Sequence, residues 1–266
     1  MIIVKSSREI ELMREAGHVV ALVFATLKPM IKAGVSTLEL SQKAEEVIRS
    51  NNCIPTFLGY GGFPGAICVS VNDTLIHGIP SSKIILKDGD IVSLDVGATY
   101  QGYVGDATRT YIVGVAKEKD RRLVEVTRES FFKAVELIKP GVHLGDICHA
   151  IQEHNEKNGY SLPRDYTGHG VGSHLHEDPS IPNYGKAGTG PILMKGMCLA
   201  IEPMVGEGRK DTRVLGDDWT VKMKDGKMSA HYENSIAVTD SGYIILTKLK
   251  SQSEEDLKKE EIVINV

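Results

Sequence analysis

Apolar residues near the start of the chain recur at spacings of three and four. Ile10, Met13, Ala16, Val20, Val23 and Leu27 would lie on one face of a helix. Ser6 and Glu9 ahead of them have capping-box spacing, with each side chain meeting the other's backbone N–H. Pro29 and then Gly34 close that helix, and Ser36 with Glu39 opens a second one, which runs to Ser50, Asn51 and Asn52. After a glycine-rich loop at 57–65 the period shortens. A short strand-like run covers 67–71, followed by a turn at Asn72-Asp73 and then by Ile76-His77-Gly78-Ile79-Pro80. Residues 91–111 hold two runs rich in Val, Ile, Tyr and Thr around a Gln-Gly turn signal, which predicts a β-hairpin. With the tight loop at Tyr100-Gln101, Asp95 faces Asp106 directly. Opposed like charges, about 4.5–5.5 Å apart at Cβ, destabilise a strand pair. A divalent cation would turn that repulsion into the reason for the arrangement.

The order of elements then repeats. Val124, Thr127, Phe131, Ala134 and Ile138 mark a long helix, followed by a turn and a second helix. Ile-Lys-Ala-Gly-Val at 31–35 matches Ile-Lys-Pro-Gly-Val at 138–142, an offset of 107. The same offset carries 86–95 onto 193–202, each a Lys/Gly turn followed by a strand that ends on a carboxylate, Asp95 or Glu202. Two windows at one offset predict an internal duplication. Two helix–helix–strand units would be related by a pseudo-two-fold axis, with Asp95 and Glu202 meeting near it.

Length and composition narrow the picture. The chain has 266 residues, a net charge of −4, one Trp and five Phe, so neither a basic surface nor a stacking platform points to DNA or other nucleic acid. Cys53, Cys68, Cys148 and Cys198 are scattered without a CxxC, which fits reduced thiols in a cytoplasmic protein. The N-terminus lacks a signal-peptide pattern, and no apolar run reaches the ~18 residues of a membrane span. The expected organisation is one catalytic domain over 1–250 and a charged, solvated, partly helical tail over 251–266.

The remaining chemistry lies in the second half. Residues 167–179 place His169, His174 and His176 among three glycines, where the backbone can approach a ligand and imidazole can bind a metal. Lys222, Lys224 and Lys227 surround an Asp-Gly hairpin turn, and the strand expected after it, 229–239, carries Glu233 among apolar neighbours. Asp95, Asp106, His169, Glu202 and Glu233 together bear four negative charges, which two divalent cations would neutralise. Such a pair activates water and clamps oxygens in a displacement. The oxygen-rich donor set suits Mn, Fe, Co or Zn.

These residues fall in motifs that resemble one family. Asn72-Asp73, His77 to Pro80, Leu94 to Gly97, Gly105 to Thr108, Gly168 to Gly172, His176 to Pro179, Ile201 to Pro203, Trp219 and Tyr232-Glu233 are similar, in order and spacing, to type I methionine aminopeptidases of the bacterial, extension-free kind. The resemblance spans about Ser6 to Leu246. It implies an α/β pita-bread fold, a curved antiparallel sheet covered by helices. It implies removal of the N-terminal methionine from nascent polypeptides with a small second residue, by attack of a metal-bridging hydroxide. Asp106 and Glu233 would bridge two ions, Asp95 would chelate one, and His169 with Glu202 would bind the other. Glu202 would also shuttle protons, His176 would stabilise the oxyanion, and His77 would sit beside the scissile amide. Tyr60, Phe63, Cys68, Leu175 and Trp219 would line the methionine pocket. Asn72, Thr74 and Ser229 match a monovalent-cation site.

Some positions depart from the family pattern. Phe57, Phe63 and Leu175 stand where some members carry Cys, Tyr and Phe, which changes the pocket's shape. Thr167, Ser173-His174 and Asn234-Ser235 also depart, and none of them removes a ligand. The proline-directed relatives share the five ligands but usually carry an extra N-terminal domain. Type II enzymes carry a helical insertion before the last ligand, and the 30 residues between Glu202 and Glu233 leave no room for it. Non-catalytic members have substituted ligands, whereas all five are present here. The remaining expectations are a monomer and, at Lys222, Lys224 and Lys227, a solvated charged turn, with contact to ribosomal RNA as the alternative reading.

Overall fold

A computed structural model describes residues 1–264. Helix α1 (Ser7–Leu27) and helix α2 (Thr37–Ser50) both start in complete capping boxes, Ser6 with Glu9 and Ser36 with Glu39. Met13, Ala16, Val20, Val23 and Leu27 form the buried face of α1. Helix α3 (Glu118–Val135) and helix α4 (Leu144–Lys157) repeat the pair in the second half. Among the described residues no helix is long and apolar enough to cross a membrane.

The duplication is visible bond by bond. Gly34 N–H donates to the Leu86 carbonyl, and Gly141 N–H to the Leu193 carbonyl. Leu86 N–H donates to Val35, and Leu193 N–H to Val142, both at 2.8 Å. The bridge between Ser36 and Ile85 recurs between His143 and Ile192, and the His143 N–H donates to the Asp146 carboxylate at 3.1 Å as the Ser36 N–H donates to Glu39 at 2.8 Å. Asn51 and Asn158 each donate a side-chain bond to a carbonyl four residues back. Every one of these pairs stands at the offset of 107 read from the sequence.

The central hairpin, Ile91–Tyr100 with Tyr103–Val113, is the longest strand pair. Its register corrects the sequence expectation: Asp95 pairs with Thr108, and Asp106 with Gly97. The loop is Gln101-Gly102, both with positive φ, which is the two-residue turn whose twist suits adjoining antiparallel strands. Asp95 and Asp106 are therefore diagonal neighbours on one face of the hairpin. Cys68–Val71 and Ile54–Pro55 add to the Ile91–Tyr100 strand, and Val263–Ile264 adds in parallel to the other.

A second five-stranded sheet runs Tyr243–Ile245, Asn234–Val238, Cys198–Ile201, Thr167–Gly170 and Glu177–Pro182. It meets the first where Thr108 and Glu233 exchange backbone hydrogen bonds. The strand expected over 229–239 breaks at that junction into Ser229–His231 and Asn234–Val238, and Glu233 sits in the break. The Asp225-Gly226 turn closes no hairpin. Val221–Met223 pairs with Thr212–Val214 and Thr74–Ile76, while Ser229–His231 pairs with Met204–Gly206. On the outer side α1 lies against the central hairpin. A Cβ on Gly105 of the hairpin would come within 2.5 Å of the Gly17 backbone nitrogen, so this approach requires glycine.

The end of the chain needs a second correction. A short helix α5 (Glu254–Lys258) is present as expected, but Leu257, Ile262, Val263 and Ile264 are buried, so the segment is docked rather than solvated. Seven charged positions, at 254–256 and 258–261, conceal these few apolar contacts in the sequence pattern, because a two-residue strand has too short a period to read. Asn265 and Val266 lie outside the described residues.

Candidate metal centre and binding pocket

The two sheets and the glycine-rich loop enclose a cavity of about 130 Å³. Asp95, Asp106, His169, Glu202 and Glu233 line it, together with His77, His176, Tyr60, Phe63, Cys68, Leu175, Trp219 and Phe57. All the candidate metal and pocket residues thus reach one place. The central hairpin supplies Asp95 and Asp106 from one face, and Thr167–Gly170 supplies His169. Glu202 follows the strand Cys198–Ile201, where Asn183 donates to its carbonyl at 2.9 Å. Glu233 projects from the break between its two strands, and the Thr108 hydroxyl donates to its carboxylate at 2.9 Å.

Ligand atoms of Asp106, His169 and Glu233 lie within 4.8 Å of one another, as do those of Glu202, His231 and Glu233. Glu233 belongs to both triplets, and Asp95 to neither. His169 Nδ1 donates to the Gly170 carbonyl at 2.8 Å, which leaves the Nε2 lone pair facing Asp106 at 3.7 Å and Glu202 at 3.5 Å. His231 was not among the sequence candidates. Its Nε2 lies 3.4 Å from Glu202, and a histidine in a core strand gives no sequence signal that it faces a cavity formed by distant segments.

The electrostatics fit a cation. Burial pushes the carboxyls of Asp106, Glu202 and Glu233 well above the ordinary range, and the neighbouring carboxylates push them further. Asp95 is raised to about 6, again mainly by burial. Burial lowers His77, His169 and His231 to about 4, so these imidazoles are neutral at pH 7. Among the described residues Asp95 Oδ1, Asp106 Oδ1, Glu233 Oε1 and His231 Nε2 are buried without a hydrogen-bond partner. Unpaired buried carboxylates cost several kcal/mol each, and divalent cations would supply both charge and partners.

The rest of the cavity is apolar. Phe63 and Trp219 meet edge to face at 5.2 Å, and Trp219 reaches His77 at 6.0 Å. His77 has φ of +57°, a strained backbone conformation for a residue with a side chain. Tyr60, although 44% exposed, is tied through its hydroxyl to His176 Nδ1 at 2.8 Å. Outside the cavity the Ser229 hydroxyl oxygen lies 2.9 and 3.2 Å from the carbonyl oxygens of Asn72 and Thr74, the residues of the expected monovalent-cation site. Lys222 is paired with Asp73 at 2.9 Å, so of the three lysines it is the least free to meet RNA.

The sequence model of metallopeptidase family M24 matches residues 11–240. Methionine aminopeptidase 1 of Bacillus subtilis is 53% identical over 249 residues, covering 94% of this chain and all of the relative. The chain belongs to the type I methionine aminopeptidases of family M24. These methionine aminopeptidases are metal-dependent hydrolases that remove an N-terminal methionine. The crystal structure of the Thermotoga maritima methionine aminopeptidase superposes with a TM-score of 0.92 at 49% identity, over 93% of this chain and all of that one. The pita-bread fold is therefore that of this chain too. A prolidase from Pyrococcus furiosus shares the core at a TM-score of 0.74 and 27% identity, but the match covers only 66% of it. The extra length of that proline-directed relative agrees with the distinction drawn from the sequence.

Proposed function

We propose that the cavity holds two divalent ions and cleaves the bond after an N-terminal methionine, acting on nascent polypeptides with a small second residue. The observation that carries the two-ion reading is the membership of Glu233 in two ligand triplets, Asp106–His169–Glu233 and Glu202–His231–Glu233. The triplets share Glu233 alone; the family resemblance adds that Asp106 would be shared as well, Asp95 would complete one position, and His169 with Glu202 would complete the other. When bound, the ions supply an activated water and polarise the scissile carbonyl; Mn, Fe, Co and Zn all suit the donors.

The chain's own residues do the rest. Glu202 takes the proton released in the attack and passes it to the departing amine. If the Tyr60 hydroxyl donates to His176 Nδ1, the imidazole proton sits on Nε2, ready to donate to the carbonyl oxygen as it gains charge. His77, neutral and beside Trp219, positions the scissile amide. Phe63, Trp219, Cys68, Leu175 and Tyr60 wall the apolar part of the cavity, where an unbranched thioether side chain would meet aromatic edges favourably. A monovalent cation at Asn72, Thr74 and Ser229 belongs to the same reading, as does a monomer working in the cytoplasm beside the ribosome.

Asp106→Asn tests the bridging role. The variant keeps the shape and removes one shared charge, so turnover is expected to disappear and metal content to fall below two per chain. Two tightly held ions and near-normal kcat would rule the role out.

A further inference from the structure

Arg109 is 3% exposed and lies directly behind the ligand-bearing junction. Its guanidinium Nη1 donates to the carbonyls of Thr108 at 3.0 Å and Glu233 at 2.6 Å, the same two residues that join the sheets. Nη2 donates to the Asn234 side chain at 2.7 Å. The rings of Phe24 and Tyr232 cover the guanidinium, with its carbon 5.1 and 4.6 Å from their centroids. A buried cation in this position needs a counter-charge. Glu260 provides it, with its carboxylate 3.5 Å from Arg109 Nε, while the Tyr111 hydroxyl donates to Glu260 at 2.9 Å and Lys28 lies 3.8 Å away. Glu260 lies outside the span matched by the family's sequence model, in the segment expected from the sequence to be solvated.

We infer that Glu260 is a positioning residue for the metal centre: by pairing with Arg109 it fixes the guanidinium that holds the Thr108–Glu233 junction, and so fixes where Glu233 presents its carboxylate. The C-terminal segment would then be a strap that sets metal affinity. Two further features anchor it independently of Arg109. Val263–Ile264 pairs with Ile112 and Val113, and Lys258 bonds Glu136 at 2.9 Å. The strap can therefore stay docked when the Glu260 charge is removed, which makes the two roles separable.

The inference rests on the dinuclear reading, and titration of the metal-stripped full chain with Mn²⁺ by calorimetry separates the two. Wild type is expected to take up two Mn²⁺; uptake of fewer would overturn the dinuclear reading itself. With wild type binding two, Glu260→Gln is expected to weaken the weaker Mn²⁺ step about tenfold, in line with what partners behind metal ligands usually contribute. Faster amide exchange at Thr108 and Glu233 is expected alongside. Arg109→Lys, which keeps the charge but loses the forked donor, should do the same. Lys258→Ala loosens the strap away from Arg109 and should leave Mn²⁺ affinity unchanged. Unchanged affinity and exchange in a folded Glu260→Gln chain would overturn the positioning role, as would an equal loss of affinity in Lys258→Ala.

Discussion

His176 shows how much of the reaction rests on single side chains. Its ring lies 4.3 Å from that of His169, its Nδ1 is engaged by Tyr60, and burial lowers its pKa from the ordinary value. A neutral imidazole held at one end by a hydroxyl is a fixed donor at the other, and such a donor acts chiefly when charge develops on the substrate oxygen. His176→Ala should therefore lower kcat by about 10²–10³ with KM little changed, as steady-state kinetics on a methionyl tripeptide would show. A raised KM with kcat preserved would instead make His176 a binding residue. His231 is the counterpart that the sequence hides. Nothing in its strand neighbours distinguishes a core histidine from one 3.4 Å from a carboxylate supplied by residue 202.

At the scale of elements, local signals were legible and register was not. Both serine capping boxes and the helical stripe of α1 depend on residues a few positions apart, and the structure has them where the sequence implies. The central hairpin was also legible, yet its register differed by two because the turn is centred on Gln101-Gly102 and not on Tyr100-Gln101. Glycine is the residue that tolerates the +85° φ required at the second turn position, so the turn is placed by Gly102 rather than by strand content. Open space surrounds that position, so Gly102→Ala would add no clash, only a left-handed backbone that costs about 1–2 kcal/mol. Thermal unfolding of the variant should show a lower Tm, by about 2–4 °C for each kcal/mol in a domain of this size; an unchanged Tm would mean the turn relaxes into another type. The break at Glu233 and the docked C-terminus were not legible because both depend on partners more than 100 residues away in the chain.

The whole molecule gathers ligands from four separate segments into a site that burial alone would leave unfavourable. Raised carboxyl pKa values mean that protons occupy part of the cluster in the metal-free protein and must leave when a cation binds. The histidines, lowered to about 4, are already free of theirs. Affinity for Mn²⁺ should thus rise as pH climbs through about 6, where Asp95 gives up its proton, and above it, with proton release on binding that shrinks as pH rises; calorimetry in buffers of different ionisation enthalpy measures both. A binding isotherm independent of pH across that window would contradict the carboxylate-rich site. The most direct test of the central claim is the rate on Met-Ala-Ser, Leu-Ala-Ser and Ala-Pro-Ser after chelation and graded return of one metal. The expected result is no activity in chelator, recovery as metal is added, and Met-Ala-Ser favoured over Leu-Ala-Ser by about 10–200-fold in kcat/KM, the range open to an apolar pocket. Equal rates on the methionyl and leucyl peptides, faster cleavage of Ala-Pro-Ser, or full activity in chelator would contradict it.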